Sequence, residues 1–200
     1  MILDAEPARW LLVLHTALGV AAVGASTHLC LWLRKYLRGA RNKRRAVRRF
    51  AVIALSLHAS AFLVGNVAYP TYKTRVRAEY LDSPDALEAD AIARVRQAAA
   101  MRARSLGRPA PTMTDAEAAR EVTGVTAGAE RIARWFDSKE HWVAVGLVLA
   151  LAVAAMVRAW DPERDGDAPA PFLMLAALGA CGTVWYAAVV GVLTASWRAI

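Results

Sequence analysis

WLLVLHTALGVAAVGASTHLCLW, Trp10–Trp32, carries no Asp, Glu, Lys or Arg over its whole length. A helix needs about 20 apolar residues to cross the hydrocarbon core of a bilayer, and this stretch meets that length. Two histidines, His15 and His28, interrupt the apolar run, and imidazole is a poor solute in hydrocarbon. Three further blocks, Phe50–Tyr69, Trp142–Val157 and Phe172–Trp197, are equally free of formal charge. The third is short for a span, so its helix is expected to begin near Trp135, leaving Lys139, Glu140 and His141 at the interface. The pattern predicts an all-α fold: an integral membrane four-helix bundle with a helical extracytoplasmic loop. The spans fall at about 10–33, 50–70, 136–158 and 171–197 and form a single membrane domain, with 71–135 as a helical insertion.

The opening block differs from a cleaved secretory leader, which places a basic segment before a short apolar core. Here the preceding residues carry Asp4 and Glu6 against Arg9, and a dense basic stretch follows the apolar run. That stretch, RKYLRGARNKRRAVRR from Arg34 to Arg49, contains nine Lys or Arg and no acid. Short basic loops stay in the cytoplasm. The reading is therefore a multi-pass protein of a bacterial-type inner membrane, with loop 34–49 cytoplasmic and both termini and the segment 71–140 outside. The same cations would meet anionic lipid headgroups. The formal charge of +8 does not imply a nucleic-acid partner, because no recognition module accompanies the basic run. The bilayer is the expected partner.

Between spans two and three, Thr71–Glu140 holds twelve basic and eleven acidic residues. Within it, DSPDALEADAIARVRQAAAMRARSL reads as a helix capped by Ser83, with acids early and arginines late, which suits the helix dipole. GRPAPTMT breaks it, and a second start at Thr114, with Asp115 and Glu117 in the first turn, would feed directly into span three. The expected product is a small helical hairpin or cap with little core of its own. RAWDPERDGDAPAP, between spans three and four, is acidic and rich in turn residues, marking a tight connection. Gly179, Gly182 and Gly191 in span four suit close helix approach.

The chain has four histidines, and all belong to spans or their mouths. Helical rise places His15 roughly 7 Å below the outer boundary, where His141 also lies, while His28 and His58 sit roughly 9 and 13 Å above the inner one. The depths give two pairs, His15 with His141 and His28 with His58, each drawn from different helices. Neutral imidazoles facing each other in this way can hold haem iron from both sides. No CxxCH stretch is present, so such haem would be held without covalent attachment. In this architecture and ligand placement the chain resembles the four-helix membrane cytochromes b. The resemblance covers the four spans and leaves the long loop aside. It implies one or two haems b with His15, His28, His58 and His141 as axial ligands, and electron transfer across or within the bilayer. It also implies a membrane oxidoreductase exchanging electrons with a quinone or a redox protein.

One departure stands against the family pattern. Respiratory cytochromes b usually place two histidines fourteen residues apart on one helix. His15 and His28 are thirteen apart, which separates them by about 140° around the axis, so they should address different helix neighbours. Gly19 and Gly24, between them, would allow a porphyrin to approach. Lys73, Arg75 and Arg77 outside span two, and Arg48 and Arg49 inside, are candidate partners for haem propionates.

Two further readings compete. Asp137, Glu140 and His141, with Glu79 or Asp82, form a carboxylate and histidine set suited to a metal ion. A cofactor-free interaction or sensor protein is the alternative to the cytochrome: its outer loop binds a partner, and its buried histidines serve packing or proton-linked gating. Cys30 and Cys181 read as small residues of the apolar phase.

Overall fold

The computed structural model describes residues 2–122 and 124–197. Among them every regular element is helical: α1 (Ala5–Leu37), α2 (Arg44–Thr71), α3 (Pro84–Ser105), α4 (Asp115–Glu121), α5 (Val125–Ala159), α6 (Pro162–Asp165) and α7 (Ala170–Trp197), with one turn of 3₁₀ helix at Arg41–Lys43. Four helical stretches are long and apolar enough to cross a membrane: α1, α2 with the segments flanking it, α5 and α7. α1 packs against α2 and α7, and α5 packs against α7 and α2. Outward faces carry exposed Val20, Leu63, Val148, Leu175 and Val192, an apolar surface that water would not favour.

Local chemistry sets the helix ends. Ser83 accepts from the Ala86 amide ahead of Pro84 in the first turn, and Thr114 with Glu117 forms a reciprocal capping box. α4 does not run on into α5 as the sequence suggested. Gly124 intervenes with φ +74°, a left-handed conformation that glycine adopts without a side-chain clash. α5 then starts at Val125, about ten residues before the expected span boundary.

α2 does not stop at the end of its apolar block. Pro70 lies inside it, where the missing amide breaks the i→i−4 ladder, and from Tyr72 to Leu81 the backbone continues as a wider π-helix. This segment buries Tyr72, Val76, Tyr80 and Leu81 against Leu87 of α3 and Ala129 and Ala133 of α5, with Phe136 and Trp197 packed on the edge. The expected cap therefore does have a core, shared with α2, α5 and α7. A second cluster closes the opposite end, where Leu29, Cys30, Leu33 and Tyr36 of α1 meet Val47, Ala51, Val153, Val157, Trp160, Leu173 and Ala177.

The basic and acidic loops pair at that second end. Arg44 bridges Asp161 at 2.6 Å and Arg41 reaches Asp167 at 3.6 Å. Arg48 donates to the carbonyls of Val157 and Arg158 at 3.1 and 3.0 Å, placing its cation on the negative end of α5.

Candidate functional site

Each histidine occupies its own environment. His15 of α1 turns towards α2, with Nδ1 3.0 Å from the Ala61 carbonyl. Its ring fits because residue 65 is glycine: a Cβ there would stand 2.9 Å from His15 Cε1. Lys139 of α5 lies within electrostatic reach of the same ring. His58 of α2 is 4% exposed and places Nε2 3.2 Å from the Val143 carbonyl of α5. Gly146 makes that contact possible, since a Cβ at 146 would lie 2.9 Å from His58 Cε1 and would overlap the Thr183 side chain of α7. Because Gly65 and His58 are seven residues apart, they share a face of α2, and the two interior rings follow one stripe about 10 Å apart along the axis.

The other two rings are exposed. His28 places Nδ1 2.9 Å from its own helix's Gly24 carbonyl and stacks on Phe50 at 5.8 Å between centroids. His141 does the same on the Asp137 carbonyl at 3.0 Å. Both α1 histidines therefore meet α2, although their spacing suggested different neighbours. His28 is level with Phe50, eight residues or about 12 Å below His58 along α2.

These placements bear directly on haem. A bis-imidazole haem needs two ring nitrogens facing across a slot one porphyrin wide. In this packing His58 is enclosed by α5 and α7, and His141 is exposed. At Gly19 and Gly24 no atom of the described residues stands within 4 Å of the Cβ position. A cavity of about 290 Å³ between α5 and α7 is lined by Trp142, Gly179, Gly182, Thr183 and Tyr186; none of these is a histidine.

A polar junction that sequence reading only half saw lies where the π-segment meets α5. Arg77 donates to Asp82 at 2.9 Å and to Asp137 at 3.2 Å, so two of the carboxylates considered for a metal ion hold a guanidinium. Among the described residues no group of three or more metal-ligating side chains converges. Tyr72 stacks on Phe136 at 3.8 Å, and Lys139 Nζ lies 3.9 Å over the Phe136 ring. Tyr69 faces Lys73 and Glu140. The Tyr72 side chain is buried, with Arg77 beside it. The motif YPTYKTRVR and the stretch FDSKEH are thus one site, which only their contact across two helices reveals.

Comparison with protein families, curated proteins and solved structures yields no match. The functional reading rests on the geometry alone.

Proposed function

We propose that this chain is a multi-pass membrane protein of the interaction or sensor class, working without a bound cofactor. The four apolar helices form a membrane bundle, and α3 and α4 with the π-segment form its recognition part outside. The observation that carries this reading is the shared second core. Tyr72, Val76, Tyr80 and Leu81 carry the helical path of α2 on past Pro70 and pack on Leu87, Ala129 and Ala133, so an event at the cap is felt by both α2 and α5. Of α3's twenty-two residues only Leu87 is buried, leaving an arginine-rich helix available to a partner. Inside the bundle, His15 and His58 report on the same movement, because each rests on a glycine contact that any shift of α2 would alter.

Hydrogen exchange on the protein in lipid nanodiscs tests the coupling. Tyr72→Ala is expected to lower protection around Leu87 of α3 and Ala129–Ala133 of α5 as well as in the π-segment. Loss confined to residues 72–81 would remove the basis for the reading.

Haem ligation is the second reading, and one observation favours it. His15, His28 and His141 each direct Nδ1 at a carbonyl. A carbonyl only accepts, so Nδ1 carries the proton and Nε2 keeps the lone pair an iron would take. Binding would require α2, α5 and α7 to part around His58. Protein purified from haem-replete cells decides between the two readings: a colourless preparation supports the first, and a Soret band of bis-imidazole type replaces it with the second.

A further inference from the structure

The contact between α1 and α7 brings together two cysteines that lie 151 residues apart in the chain. Cys30 is buried, and its thiol donates to the Ala177 carbonyl at 3.4 Å, one turn before Cys181. Cys181 in turn lies 3.8 Å from the Thr27 hydroxyl, one turn before Cys30. Each sulfur therefore projects into the other's turn. Both are free. The small residues Ala25 and Ala177 in the adjoining cluster let the two backbones approach, which a disulfide with Cα atoms within about 7 Å requires.

We propose that Cys30 and Cys181 are a modification site, closing reversibly into an intramolecular disulfide that fastens α1 to α7 by exchange with a small apolar disulfide. Cys181, half-buried where Cys30 is buried, reacts first. Its sulfur loses a proton and attacks one sulfur of R–S–S–R, forming Cys181–S–S–R and releasing one RSH. Cys30 then gives up its proton and attacks the Cys181 sulfur, expelling the second RSH. Two protein thiols are oxidised and one small disulfide is reduced to two thiols. The link joins the first and last spans and so closes the seam along which the four helices would otherwise open.

The test uses the full-length protein in nanodiscs with 2,2′-dipyridyl disulfide, an apolar reagent whose released pyridinethione absorbs light. Two pyridinethiones per chain are expected, with an intact mass lower by two hydrogens, no retained adduct and full reversal by reductant. Cys30→Ser is expected to release one pyridinethione and keep a pyridylthio adduct on Cys181. A wild-type chain that retains two adducts, releases nothing or crosslinks to a second chain overturns the proposal.

Discussion

Gly146 shows how much a single missing side chain decides. Its Cα hydrogen faces both Thr183 and His58, so Gly146→Ala forces three helices to shift. A loss of about 1–3 kcal/mol is expected from overpacking of this kind. Gly24→Ala is the control, because nothing stands within 4 Å of its Cβ position; there the gain in helix propensity of about 0.5–1 kcal/mol should dominate. Thermal unfolding in the same detergent checks both: Gly146→Ala should melt lower than the parent and Gly24→Ala at or above it. The four histidines were visible in the sequence. Their directions were not, because azimuth around a helix depends on crossing geometry that a 100° wheel does not contain. His15 and His28 both reach α2 despite a wheel separation that should divide them, and Cys30 finds Cys181 for the same reason.

At the scale of elements, the apolar blocks and the caps were legible because each depends on a few adjacent residues. Ser83 and Thr114 start helices as their side chains require. The π-segment was not legible: Pro70 marks a break in hydrogen bonding, but whether the helix ends or widens there is decided by the partners Tyr72 and Tyr80 find in α5 and α3. Thr114→Ala removes the capping box and should weaken α4 by about 1 kcal/mol, read as faster exchange at Asp115–Glu121 with α3 unaffected. The Thr114 amide and hydroxyl hold the Glu117 carboxyl below the usual carboxylate range. A depressed folded pKa means that this contribution is fully present above the carboxyl's unfolded value and is lost as pH falls through the folded one. Backbone chemical shifts of α4 should therefore move towards coil on acidification below about pH 4, and Glu117→Gln should blunt that dependence. Shifts unchanged down to full protonation would show that the cap is not formed through the carboxylate.

For the whole molecule, the charge pattern has a physical consequence beyond topology. The acidic loop after α5 looked like a mere connection in the sequence, yet Asp161 and Asp167 receive Arg44 and Arg41 of the basic loop. Two loops of opposite sign thus bind one end of the helices together, and the shared core of α2, α3 and α5 binds the other. Replacing Asp161 by Asn should loosen that first end by no more than about 1 kcal/mol, since the pair is partly exposed. We propose that these two ends lie on opposite sides of a bilayer, with the helical cap on one and the basic loop on the other. Single cysteines at Arg45 and at Arg104, introduced into a chain carrying Cys30→Ser and Cys181→Ser, measure it directly with a membrane-impermeant maleimide on sealed, oriented vesicles. One position is expected to label from outside only and the other only after the membrane is opened; labelling of both from the same side would overturn the proposed arrangement.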